Sequence, residues 1–254
     1  MRHLYRTRID DEILAEFLPP STPQKRTEER TRVLILAQGI PSIPYKDDVI
    51  QYWSEQGYFV VFPRYRGTWE SRGSFLKESP TKDVTDTVNA VFHPLRDIYS
   101  GEEFTIVPDA VYVLGSSFGG PAALFSSSDP RVTKVIGLSS VIDWRIPTPA
   151  ESNDALKQFI TEGFGPTYRF DDTDWAKLEE DTHFYNPITM QDRIDPEKVL
   201  LIHAEDDPFC PAQALKTFAK ETGVTTELYA QGGHLGISDT CTLEIRTRIK
   251  AWFQ

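Results

Sequence analysis

Apolar residues along this chain fall into short continuous runs that alternate with stretches of helical period. The run from Arg32 to Gln38 is β-branched and aliphatic throughout and ends at Gly39. Such unbroken runs suit strands covered on both faces, as in a buried parallel sheet. A helical stretch over 45–56 follows, then a strand over 58–62, a long helix over 81–99, and a strand over 110–115. A small-residue helix from Phe118 and a strand over 132–139 continue the series. Strand and helix trading places in this way is the pattern of right-handed βαβ crossovers.

Two short extended segments at the start, 4–9 and 12–18, read as an antiparallel edge before a polar loop over 21–30. From Asp143 to Met190 the rhythm breaks into a Pro-rich turn and two helices, over 152–162 and 174–180, which reads as an insertion. The alternation then resumes with a strand over 198–204, a helix over 211–222, a strand over 225–230 and a closing helix over 240–253. We expect one α/β domain over residues 1–254, a mostly parallel sheet of about eight strands with helices on both faces, and a small helical cap at 143–190.

With 254 residues, 39% of them hydrophobic and 26% charged, the chain has the composition of an ordinary globular protein with enough apolar surface for one sizeable core. Its net charge of −11 makes nucleic acid a poor expected partner. No apolar run reaches the length of a membrane span and the start has no signal-peptide core, so a cytoplasmic protein without a membrane partner is expected. Cys210 and Cys241 are too few for a disulfide framework and read as free thiols. Nothing in the pattern speaks against a homo-oligomer.

Chemistry concentrates in three places. Gly115, Ser117 and Gly119 form G-x-S-x-G between an expected strand and an expected helix, the context of a nucleophile elbow. The flanking glycines relieve clashes in a turn that holds the serine in a strained conformation. A serine hydroxyl needs a neutral imidazole to take its proton, and the imidazole needs a carboxylate on its other nitrogen. His234 lies in a glycine-flanked loop after a late strand, whereas His203 sits inside a strand. The strand over 198–204 runs into Glu205, Asp206 and Asp207, and Asp143 follows the preceding sheet strand, so the acid has four candidates. Serine, acid and histidine in that order match α/β-hydrolases.

These residues resemble the α/β-hydrolase superfamily, and within it the prolyl oligopeptidase-type catalytic domains and dienelactone-hydrolase-like esterases. The resemblance is carried by 36–41, 63–67, the elbow, and 185–187 through Asp207 to His234. It implies Asp207 as the acid and an oxyanion hole from the backbone N–H groups of Ile40 and Phe118. Gln38 departs from the histidine that relatives often carry, and the thirty residues before the first central strand hold no propeller. The implied activity is a cofactor-free and metal-free serine hydrolase cleaving a small carboxylic ester or a short acyl-peptide or aminoacyl amide through an acyl-enzyme on Ser117. Alternatives are a prolyl oligopeptidase-like peptidase without a propeller, and a non-catalytic ligand-binding protein on a hydrolase fold. Trp144, Phe164 and Tyr168 are candidate pocket residues. Arg66, with Arg64, is either a substrate-carboxylate ligand or a tie for its own loop.

Overall fold

In a computed structural model, the structure describes residues 2–21, 30–146, 148, 152–181, 183–238 and 242–254. Eight strands form one sheet in the order β1-β2-β4-β3-β7-β8-β9-β10. They span Tyr5–Ile9 (β1), Ile13–Leu18 (β2), Arg30–Ala37 (β3), Tyr58–Pro63 (β4), Val107–Ser116 (β7), Val132–Leu138 (β8), Val199–Ala204 (β9) and Thr225–Tyr229 (β10). From β4 to β10 all neighbours are parallel, while β1 and β2 add an antiparallel edge.

The continuous apolar runs have the expected cause. On β3, Val33, Ile35 and Ala37 pack with Val84 and Val88 of α2 (Pro80–Ala90) and with Ala122 and Phe125 of α3 (Gly119–Ser126). Leu34 and Leu36 point to the opposite face, onto Ile50 and Trp53 of α1 (Asp47–Glu55) and Ile245 and Ile249 of α8 (Leu243–Trp252). Alternate residues from Val33 to Ala37 thus bury into two different layers, so that part of the strand is apolar on both faces.

The helix expected over 81–99 is shorter. Ser79 caps it, its side chain accepting the Thr81 N–H, and Pro80 occupies the first turn. Pro94 cannot continue a helix, because it lacks an N–H and its ring disfavours helical backbone before it. The chain instead forms a small hairpin of β5 (Leu95–Arg96) and β6 (Glu103–Phe104).

Between β8 and β9 lie α4 (Asn153–Phe164) and α5 (Asp172–Glu180), with four short 3-10 turns at 165–167, 187–189, 191–193 and 196–198. Ser152 and Asp171 cap the two helices with their side chains. Trp175 and Tyr185 of this segment are buried in the core shared with α2 and α3, so these rings pack the segment onto the sheet. The remaining helices are α6 (Ala212–Thr222) and the six-residue α7 (Gly233–Ser238). None of the helices is long and apolar enough to cross a membrane among the described residues.

Candidate active site

At the carboxyl end of β7 the chain turns sharply into α3. Ser117 there has φ +50°, a left-handed conformation that costs a non-glycine residue energy and persists only where surroundings hold it. The surroundings are specific. Its N–H donates to the Leu138 carbonyl at 2.9 Å, and its carbonyl accepts from Gly120 at 3.0 Å and Val141 at 3.2 Å, which ties the elbow to the end of β8. A Cβ on Gly119 would sit 2.1 Å from the Ala37 carbonyl oxygen, and one on Gly115 would sit 2.4 Å from the Gly119 carbonyl. Both glycines are therefore required by close backbone approach.

His234 stands in the first turn of α7, after a turn through Gly232 (φ +152°) and Gly233 (φ +58°). Its Nδ1 lies 2.8 Å from Asp207 Oδ2. Asp207 Oδ1 accepts the N–H groups of Phe209 and Cys210, each at 2.9 Å. Burial works to raise the Asp207 pKa, but these bonds and the nearby imidazole outweigh it and hold the carboxyl below its ordinary value. An ionised carboxylate only accepts, so Nδ1 carries the proton and Nε2 holds the lone pair. That lone pair is the free basic site of the ring. His234 and Ser117 line the same cavity. Among the described residues no hydrogen bond closes between Ser117 Oγ and the ring, a looseness common before substrate binds.

The rival acids have other partners. Glu205 pairs with Lys216, and Asp143 pairs with Arg145 and accepts from Asn186 at 3.0 Å. Asp206 accepts the Gly233 N–H at 2.8 Å and so anchors the turn that carries the histidine. His203 is buried, its Nε2 donating to the Cys210 carbonyl at 2.7 Å; burial lowers its pKa and keeps it neutral.

Two backbone donors complete the constellation. Ile40 and Phe118 line the cavity, and among the described residues neither N–H has a hydrogen-bond partner. The loop bearing Ile40 is braced from several sides. Tyr65 Oη donates to the Gln38 carbonyl at 2.8 Å, Ser42 Oγ donates to Gln38 Oε1 at 2.5 Å, and Trp69 Nε1 donates to the Ser42 carbonyl at 3.1 Å. Gln38, standing where relatives often carry histidine, thus has its side-chain oxygen engaged within the loop and its carbonyl held by Tyr65.

The cavity holds about 580 Å³ and is mostly apolar, with Ile142, Trp144, Leu156, Phe164, Phe209 and Leu235 among its walls. Trp144 and Phe164 occupy the expected place. Tyr168 does not. It lies behind the Ile40 loop, where its hydroxyl accepts the Ser42 N–H at 3.1 Å. Arg66 is also away from the cavity, bound to Glu12, Asp83 and, at 2.7 Å, Asp86. Glu12 lies before the central strands and Asp83 and Asp86 on one face of α2, all of them well away from Arg66 in the chain, so no local pattern reveals that Arg66 is already paired. Arg64 is likewise buried between Glu16 and Glu70.

Asp207, Cys210 and His234 offer ligand atoms within 4.8 Å of one another. As a metal site the set is poor: burial pushes the Cys210 thiol well above its usual range, so it keeps its proton, and Asp207 and His234 are engaged with each other. The same protonated state makes Cys210 a weak nucleophile. Cys241 lies outside the described residues.

The model of the prolyl oligopeptidase family matches residues 44–254, which include the elbow, the acid loop and the histidine loop. The chain belongs to the prolyl oligopeptidase family. By that membership it is a serine hydrolase. Among curated proteins no sequence match is found. Solved structures with this fold include the esterase Pf2001 of Pyrococcus furiosus, 15% identical with a TM-score of 0.67, covering 99% of this chain and 90% of that one. The α/β hydrolase GrgF of Penicillium sp. sh18 is 16% identical with a TM-score of 0.69, covering 99% and 97%. The acylaminoacyl peptidase of Pyrococcus horikoshii is 19% identical with a TM-score of 0.61, covering 98% of this chain and 40% of its own. For this family member these likenesses speak to fold; the identities are too low to carry a substrate across.

Proposed function

We propose that this prolyl oligopeptidase family member hydrolyses a small carboxylic ester through an acyl-enzyme on Ser117. His234 Nε2 takes the hydroxyl proton as Oγ attacks the substrate carbonyl, and the Ile40 and Phe118 N–H groups receive the developing oxyanion. Asp207 holds the ring in the reactive tautomer and stabilises it when it becomes doubly protonated. The imidazolium then protonates the leaving alcohol, and water deacylates the serine by the same route in reverse.

The observation that carries this reading is the Asp207 to His234 bond of 2.8 Å beside a cavity lined by Ser117 and by Ile40 and Phe118, whose N–H groups have no partner among the described residues. A pure binding protein has no chemical need for all four. Ester is favoured over aminoacyl substrate because the only carboxylate among the described lining residues, Asp143, is already bonded to Arg145 and Asn186 and leaves no anchor for a substrate ammonium. Residues of α4 supply part of the apolar wall, which supports a covering role for the 143–190 segment. The test is covalent labelling by a fluorophosphonate, with turnover of 4-nitrophenyl esters against aminoacyl nitroanilides. Labelling of the native chain and none of Ser117→Ala is expected; an unlabelled native chain overturns the proposal.

A further inference from the structure

One end of the cavity carries its cation. Lys46, Ser116 and Ser238 line both the main cavity and a smaller adjoining one of about 60 Å³. Ser116 is the residue before the nucleophile, and Lys46 precedes α1. Among the described residues Lys46 Nζ has no carboxylate within ion-pair distance, and neither serine hydroxyl makes a hydrogen bond. Asp47 and Asp48 follow Lys46 on α1, but neither lines either cavity or pairs with it. Among the described lining residues Lys46 is the only lysine or arginine, and the one carboxylate, Asp143, is paired with Arg145. Three residues with unengaged donors, one of them a cation, therefore line the junction between the main cavity and a side pocket whose remaining walls are mostly apolar, Leu36, Val49, Phe62, Leu114 and Leu138 among them. The side pocket is small, about 60 Å³, and leaves room for a group the size of a carboxylate at that junction.

We propose that this junction is an anion subsite and that the substrate is an ester carrying a free carboxylate on its acyl part, seated against Lys46 with Ser116 and Ser238. This substrate assignment rests on the hydrolase reading above. The protein's net charge of −11 repels anions at long range, so a preference for an anionic substrate needs a local source. Lys46 supplies a strongly hydrated point charge of that kind.

The test compares 4-nitrophenyl monoesters of adipic and suberic acid with the neutral hexanoate and octanoate esters. A carboxylate advantage of about tenfold in kcat/KM, carried mainly by KM, is expected for a charge-assisted contact at a partly exposed site. Lys46→Met removes the advantage and Lys46→Arg keeps part of it, with fluorophosphonate labelling to the native extent showing that both variants are folded. Equal rates for the two series, or an advantage that survives Lys46→Met, overturn the subsite. Calorimetric binding of free adipate to Ser117→Ala separates the two readings. An unlabelled native chain refutes the hydrolase, whereas a labelled chain whose Ser117→Ala variant binds no adipate refutes only the subsite.

Discussion

The Tyr185 hydroxyl sits between the two ends of one helical turn, donating to the Phe118 carbonyl at 2.6 Å and accepting the Ala122 N–H at 3.2 Å. A regular turn would join that carbonyl and that N–H directly; here a side chain from the segment between β8 and β9 bridges them. Phe118 also lines the cavity, so the bridge couples that distant segment to the cavity wall at the first turn of α3. Tyr185→Phe leaves both buried groups without a partner and should cost about 1–3 kcal/mol in stability. Denaturant unfolding measures this, and kcat should fall more than KM rises as Phe118 loses its brace. An unchanged unfolding midpoint would count against the bridge.

Asp207→Asn should lower kcat by about a thousandfold to ten-thousandfold, since the amide favours the wrong imidazole tautomer. Steady-state turnover of a neutral nitrophenyl ester is the readout.

The same residue sets a pH dependence of stability. Its carboxyl is held below the ordinary value when folded, so its contribution is complete above the unfolded-chain pKa of about 4 and is lost as acid protonates it below that. Thermal unfolding followed from pH 6 to pH 3 should fall less steeply in Asp207→Asn than in the native chain. Parallel curves would show that the native bond adds nothing.

Arg66→Met should destabilise by about 3–5 kcal/mol, because it strands Asp83, whose burial already raises its pKa to about 7 despite the guanidinium beside it. The protein that remains folded should keep its KM. A selective rise in KM for acidic substrates would return Arg66 to the pocket.

Gly119→Ala forces a Cβ to 2.1 Å from the Ala37 carbonyl oxygen. Backbone cannot yield as a flexible side chain can, so a loss of about 3 kcal/mol or more is expected. Soluble expression and unfolding of this variant test it.

Reading the chain from its residues alone succeeds where one interaction type dominates locally. The apolar run of β3 needs no partner to be recognised, and the glycines about Ser117 answer to clashes within one tight turn. It fails where a local breaker competes with a continuing pattern or where the deciding contact is distant. The apolar spacing of Val84, Val88, Val91 and Leu95 continues a helical period past Pro94, although the proline ends the helix. The turn carrying His234 is rich in glycine, a poor helix former, yet the Asp206 carboxylate on the Gly233 N–H and Ser139 Oγ on the His234 carbonyl at 3.3 Å hold it at the start of α7. Tyr168 reads as a pocket residue, and Arg66 as either a pocket ligand or a tie for its own loop, because their true partners, Ser42 for one and Glu12, Asp83 and Asp86 for the other, are invisible to any short window.

Neighbouring residues Asp206 and Asp207 grip the same segment twice, one through the backbone of Gly233 and one through the ring of His234. The two loops are therefore tied to each other at adjacent residues. Grafting residues 204–211 from a relative without residues 230–236 would break one grip or the other, so chimeras built to alter this enzyme will work only when both loops are transplanted as a matched pair.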